Sequence, residues 1–338
     1  MKAMVLRKIS EIEAKPLKLE DWPIPELSPN QILVKVSACG VCHTEIDEIE
    51  GRRQPKLPVI LGHEIVGTVE KLGSEVTKFK LGDRVGIAWI YSSCGKCVRC
   101  QKGEENLCDQ FQGTGCDTNG GYAEYTVALE NFAYPIPERF TDLQAAPLLC
   151  AGAIGYRALK LTGIQDGQTL GLYGFGASAH LVIQIVKYKY PNSKVFVFTR
   201  KKGDDPSQLA KEKGADWVGI TGEAPSEKLN CAIDTTPVGI SVREALRNLE
   251  KGGRLIINVI RKETPIPELD YTEHLWQEKE IKSVANITRK DVQEFLPLAA
   301  EIPIRSEINE FKLEEANRAL ISLKQGKYRG AGVLLIDI

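Results

Sequence analysis

With 338 residues, 43% of them hydrophobic and 26% charged, the chain is long enough for two domains with cores of their own. A formal net charge of −1, with acidic and basic residues intermixed, leaves no electrostatic case for nucleic acid or an anionic membrane as partner. An odd count of nine cysteines, a charged start (MKAMVLRKISEIEAKPLK) and no apolar run of about 18 residues argue against a disulfide framework, a signal peptide and a spanning helix. The expectation is a cytoplasmic protein with reduced thiols.

In chain order, the first half carries short β-like runs broken by Gly and Pro. ILVKVSACG, EIVGTVEKLG, DRVGIAW and GYAEYTVAL are expected as strands separated by turns. Between the last two lies CGKCVRCQKGEENLC, which places Cys94, Cys97, Cys100 and Cys108 two, two and seven residues apart. Thiolates so spaced can close a tetrahedral cage around one zinc ion and leave no position open for substrate. An iron–sulfur cluster fits less well, because the fourth cysteine follows a seven-residue gap and no Cys-Pro pair closes the motif. A closed cage holds structure, so reaction chemistry must be sought elsewhere.

From Ala153 onward strands and helices alternate. QTLGLYG, KVFVFT, KLNCAIDTT and RLIINVI are expected as strands; ASAHLVIQIVKYKY, DPSQLAKEKGA and SVREALRNLEKGG as helices. Alternation of this kind predicts βαβ units and a parallel, doubly wound sheet. The last fifty residues return to two helices and a terminal strand, GAGVLLIDI, expected to pair back onto the N-terminal half. The fold class is therefore α/β, and the division expected is residues 1–152 with 287–338 against a nucleotide-binding insert of residues 153–286.

The strand QTLGLYG runs into Gly174-Phe175-Gly176-Ala177-Ser178-Ala179 and then an apolar helix. This is G-x-G-x-x-A, a form of the dinucleotide fingerprint. Gly174 allows the tight turn, Gly176 lets backbone approach a pyrophosphate, and Ala179 permits close helix–strand packing. The helix N-terminus, at Ala177 and Ser178, offers N–H groups and a positive dipole end to phosphate. The next strand ends at Thr199-Arg200-Lys201-Lys202, where an NAD enzyme usually carries Asp or Glu. Cations in that place favour NADP, with NAD possible, through Thr199 and Arg200.

Three segments, ACGVCHTEID, GHE and PLLCAG, contain Cys42, His63 and Cys150. Taken singly, His63 reads as a structural histidine and Cys150 as a small buried hydrophobe. Their contexts change that reading. With CGVCHTEID, LGHEIVGTVEKLGSEVTKFKLGDRVG, CGKCVRC and Cys108, GGYAEY, PLLCAGAIGYRAL and LYGFGASAH in this order, the chain closely resembles the zinc-dependent medium-chain alcohol dehydrogenases.

The resemblance implies a GroES-like catalytic domain joined to a Rossmann cofactor domain, and two zinc ions per chain. Cys42, His63 and Cys150 would bind the catalytic zinc, the ligand set described for alcohol dehydrogenase itself; Cys94, Cys97, Cys100 and Cys108 would bind the structural one. Glu64 would be the acid behind the metal, Thr44 the hydroxyl that meets the alcohol, and His43 a contact to the cofactor pyrophosphate. Cys39, Cys116 and Cys231 match no ligand. The zinc would act as a Lewis acid on the alcohol oxygen, and the nicotinamide would take the hydride.

Three positions depart from the family pattern. Asp47 stands where many members carry a proton-relay histidine, and a carboxylate there could accept the proton through Thr44. Ile154 stands beside the expected nicotinamide position in place of Thr or Val. Ala331 stands near the position where some members carry a pyrophosphate-binding arginine, and Arg329 is expected to substitute for it. Trp89, after the DRVGIA run, is expected to wall the substrate pocket and to favour primary alcohols or aldehydes. The substrate is then a small alcohol, aldehyde or ketone; the runner-up is a polyol, sugar or amino-acid alcohol. A zinc-ribbon nucleic-acid binder would leave GHE, Cys150 and the glycine turn unexplained, and a zinc-free enone reductase would lack both cysteine sets. The family often forms homo-oligomers, as tetramers or dimers.

Overall fold

The computed structural model describes residues 1–302 and 304–336. The chain separates into two compact units. One comprises Met1–Cys150, Asn286–Ala300 and Ser306–Ile338; the other comprises Ala151–Ala285 and Glu301–Arg305.

The first unit is built on the 11-residue strand Gln31–Val41, whose alternating and then continuous burial lets it serve as the centre of a sheet. Ile65–Leu72 pairs with it antiparallel on one side, with Cys39 opposite Ile65, and Ala331–Leu335 pairs antiparallel on the other, with Gly332 opposite Val41. Arg84–Ile87 and Ala133–Pro135 continue the sheet beyond Ile65–Leu72, and Ile308–Lys312 runs parallel to Ala331–Leu335. Tyr125–Leu129 also pairs along the first half of Gln31–Val41. The terminal strand thus closes onto the N-terminal half as expected, although Asp337 and Ile338 lie outside the described residues. Lys2–Leu6 with Lys18–Asp21 forms a further antiparallel pair that sequence pattern did not reveal. Of GYAEYTVAL only Tyr125–Leu129 is a strand; Ala123 makes an isolated bridge to Ala3.

The second unit is a six-stranded sheet in which every neighbouring pair is parallel. Its spatial order is Trp217–Ile220, Lys194–Thr199, Thr169–Tyr173, Leu229–Asp234, Leu249–Ile257, Glu280–Ser283. The first strand of the unit in chain order lies at the centre, so connections leave it in opposite directions. A ligand crevice belongs outside the carboxyl ends at such a switch point. The strand cores are continuous hydrophobic runs, as parallel sheets require; Tyr173 and Phe198 stack at 4.1 Å between ring centroids.

One element boundary differs from expectation. SVREALRNLEKGG was expected to remain helical to its glycines, but the helix is Ile240–Asn248 and the strand Leu249–Ile257 begins at once. Leu249 is extended and buried, and it pairs with Leu229, so sheet pairing captures residues that helical propensity alone would keep.

Candidate active site

Register brings the first three donors together. Gly40 N–H donates to the Glu64 carbonyl at 2.9 Å, so Cys42 and His63 leave the same end of one antiparallel strand pair. Cys42 is extended and serves as N-cap of the helix His43–Ile49. Cys150 arrives from the 3-10 turn Ala146–Leu149. One ligand atom each from Cys42, His63, Glu64 and Cys150 lies within 4.8 Å of the others. Glycine at position 40 makes room for Glu64: a Cβ there would sit 2.0 Å from Glu64 Oε2 and 2.8 Å from its Cβ.

Glu45, three residues into the helix, organises this cluster, and sequence reading assigned it no role. Its Oε2 accepts from the Cys42 N–H at 2.8 Å, and its Oε1 lies 2.6 Å from His63 Nδ1, with both side chains fully buried. Holding Nδ1 on a carboxylate leaves Nε2 as the nitrogen directed to a ligand. The signal was present as C-x-x-E, a capping-box spacing. Hydrogen bonding with Cys150, aided by His63, holds the Cys42 thiol well below its ordinary value, the direction a metal ligand needs. Burial pushes the Glu64 carboxyl well up, with the Cys42 sulfur adding to the effect.

The remaining expected residues of this unit fall as follows. Thr44 is buried, its Oγ1 3.6 Å from Cys42 Sγ. His43 is exposed at the first helical position. Asp47 is buried, and its Oδ1 lies 2.5 Å from Arg52 Nε. Trp89 is buried and perpendicular to His63, their centroids 4.8 Å apart. Arg329 lies half-buried in the turn before Ala331–Leu335.

The four-cysteine loop gathers as well. Cys94, Cys97, Cys100 and Cys108 present Sγ atoms within 4.8 Å of one another, with Cys94 and Cys100 3.9 Å apart. Tetrahedral zinc with bonds of about 2.3 Å requires sulfur separations of about 3.8 Å, far beyond a disulfide bond. Backbone N–H groups of Cys97, Cys100 and Gln110 donate to the sulfurs of Cys94, Cys97 and Cys108 at 3.4–3.5 Å. The N–H groups of Lys96 and Cys97 bring the Cys94 thiol down to about 6. Glu105, within the loop, accepts from Arg289 N–H at 2.8 Å and Nε at 3.0 Å, which ties the loop to the helix Arg289–Glu301.

In the second unit Gly174 has φ +83, and a Cβ would meet Thr235 Oγ1 at 2.7 Å. At Gly176 a Cβ would meet no atom within 4 Å, so backbone there faces open space of the kind a pyrophosphate needs. Ala179 is buried at the first position of the helix Ala179–Lys189, behind Ala177 and Ser178. Ile154 is half-buried on the helix Ala151–Thr162. Thr199, expected to face a phosphate, is turned inward: its Oγ1 is 2.8 Å from Ser207 Oγ and donates to the Lys201 carbonyl at 3.1 Å. Arg200 and Lys201 are exposed at the strand end, and Lys202 pairs with Glu223 at 2.5 Å.

Residues 28–138 match the alcohol dehydrogenase GroES-like domain. The "Probable alcohol dehydrogenase AdhA" of Mycobacterium tuberculosis is 42% identical over 99% of this chain and 97% of its own. An alcohol dehydrogenase of Geobacillus stearothermophilus is 36% identical over the full length of both. Among solved structures, one of CAD from Helicobacter pylori complexed with NADP(H) shares 26% identity at a TM-score of 0.88, covering 99% of this chain and 97% of that one.

Proposed function

The chain belongs to the zinc-dependent medium-chain alcohol dehydrogenase family, and from that premise we propose the residues, cofactor form and substrate through which it acts. It is an oxidoreductase that interconverts alcohols with aldehydes or ketones, using a nicotinamide cofactor. The observation that carries the site assignment is the meeting of Cys42, His63 and Cys150 from three remote segments, with Glu45 orienting the imidazole.

Two thiolates and one imidazole, with Glu64 behind them, suit a zinc ion that keeps a position for substrate; four thiolates in the other loop suit a second, closed ion. When bound, the catalytic zinc supplies Lewis acidity at the substrate oxygen and the nicotinamide supplies hydride exchange. Glu45 holds His63 Nδ1, which leaves Nε2 for the metal, and the Cys42 thiol beside it is held below its ordinary value. Thr44 Oγ1 receives the substrate hydroxyl and hands its proton toward Asp47, one turn along the same helix, where Arg52 fixes the carboxylate. Turnover measured against pH for Asp47→Ala and Asp47→His tests that route; profiles identical to wild type in both would remove it.

The glycine turn binds the pyrophosphate through backbone at Gly174, Gly176, Ala177, Ser178 and Ala179, with Ile154 at the nicotinamide. No carboxylate ends the strand Lys194–Thr199, and Arg200 and Lys201 lie exposed there, which supports NADP over NAD. Thr199 shapes the turn in this reading. Trp89 walls the pocket and favours primary alcohols. The enzyme works as a homo-oligomer in the cytoplasm, its cysteines free. Steady-state kinetics on an alcohol and aldehyde panel with each cofactor, alongside metal analysis, tests the whole assignment. The expected result is NADP preferred at least tenfold and about two zinc ions per chain. A tenfold preference for NAD overturns the cofactor reading, and one zinc per chain overturns one of the metal sites.

A further inference from the structure

We infer that Arg53 is a positioning residue that sets substrate selectivity by clamping Trp89. The Arg53 Cζ lies 4.7 Å from the centroid of the Trp89 ring and 5.9 Å from that of Phe111. Phe111 stacks on the same indole at 6.3 Å with an interplanar angle of 28°. Against Trp89 the backbone also closes in: a Cβ on Gly113 would stand 3.0 Å from Trp89 Cζ2 and 3.4 Å from Arg53 Nη2. The indole also meets the His63 ring edge to face, at 85° with the centroids 4.8 Å apart. Trp89 therefore touches both the metal-site imidazole and a planar cation.

The guanidinium is itself held independently of Trp89. Arg53 Nε donates to Cys116 Sγ at 3.1 Å, and Nη2 lies 3.5 Å from Asp117 Oδ2. The Arg53 N–H donates to the Asp47 carbonyl at 3.1 Å, which fixes its backbone to the helix that carries Thr44. A planar, delocalised cation is attracted to the indole face and constrains its plane, which neither an aliphatic side chain nor a compact ammonium does as well. With the clamp removed, the indole can tilt, and the wall it forms loses its fixed shape.

The inference rests on the reading of Trp89 as pocket wall, so the experiment separates the two. Full-length Arg53→Met, Arg53→Lys and Trp89→Ala are assayed with ethanol, benzyl alcohol and cyclohexanol at saturating cofactor, with zinc content measured in each. Arg53→Met is expected to move the kcat/KM ratios among these alcohols toward one by at least about fivefold, carried in KM rather than kcat, at unchanged zinc content. Arg53→Lys should move them in the same direction and less far; should Arg53→Met not fold, the lysine variant decides alone. Ratios shifted by Trp89→Ala but unmoved by the Arg53 variants overturn the clamp. Ratios unmoved by Trp89→Ala overturn the pocket-wall reading and the clamp with it.

Discussion

At the scale of single residues, the least conspicuous acid in the first unit has the most to do. Glu45 bridges the Cys42 N–H and His63 Nδ1 from full burial, so its loss would strand two buried polar partners. Glu45→Gln keeps the shape but can accept at only one oxygen; it should weaken zinc retention at the catalytic site and lower turnover by about 10–100-fold. Chelator competition and metal counts check this: turnover lost with zinc affinity intact would mean that Glu45 does not act through the metal ligand. The four-cysteine loop was legible from its spacing, and Cys42, His63 and Cys150 from the motifs that surround them. Glu45 was not, since the chain carries many carboxylates and only its place three residues past an N-cap distinguishes it. Thr199 shows the complementary limit: its position at the strand end was readable, but the inward turn of its hydroxyl onto Ser207 depends on a side-chain direction that no spacing reveals.

At the scale of elements, the helix Ala316–Lys324 ends in a charged knot. Lys324 Nζ lies 2.7 Å from Glu50 and 3.0 Å from Glu13, and Arg52 pairs with Glu50 at 2.5 Å. Although burial of Glu50 opposes it, hydrogen bonding from Lys324 and Arg52 leaves that carboxyl below its ordinary value; Glu13 is lowered chiefly by Lys324. Depressed folded-state values mean that this stability is present above the ordinary carboxylate range, about pH 4.3, and is lost as pH falls through the folded values. Lys324→Met should therefore reduce stability at pH 7 and shallow the acid-induced loss below pH 4.3, in denaturant titrations at both pH values; an equal deficit at all pH would assign Lys324 to packing. The four-cysteine loop is a second such element. Cys97→Ser should lower the melting temperature by roughly 5–10 °C while the residual folded enzyme still turns over. The pattern of such elements was mostly readable, because strand runs and the glycine turn are local signals. The early strand at Leu249 was not, since its partner Leu229 is supplied by the sheet.

At the scale of the whole molecule, the proposed homo-oligomer has a place to be tested at the outer strand of the second unit's sheet. Glu280–Ser283 ends the strand order with all four residues exposed, and Tyr271, Trp276 and Ile281 are large apolar side chains exposed on or near it. An unpaired edge with apolar neighbours supports self-association. Ile281→Lys should lower the oligomeric state seen by light scattering; a wild-type monomer across micromolar concentrations would remove the oligomer from the proposal. Composition and charge offered no electrostatic case for nucleic acid as a partner, whereas an edge strand is visible only once the sheet order is known.

The closing strand of the first unit has a consequence for biosynthesis. Ala331–Leu335, buried at four of its five positions, lies beside Gln31–Val41 in the sheet yet is made long after it. Almost everything between them must leave the ribosome first, including the whole parallel sheet of the second unit, whose strands come from one continuous stretch. During synthesis the nucleotide-binding half can settle early, while its companion waits with an unpaired strand flank and an apolar face exposed. Nascent chains stalled before residue 331 should therefore resist protease over residues 151–285 and remain cleavable within 31–41.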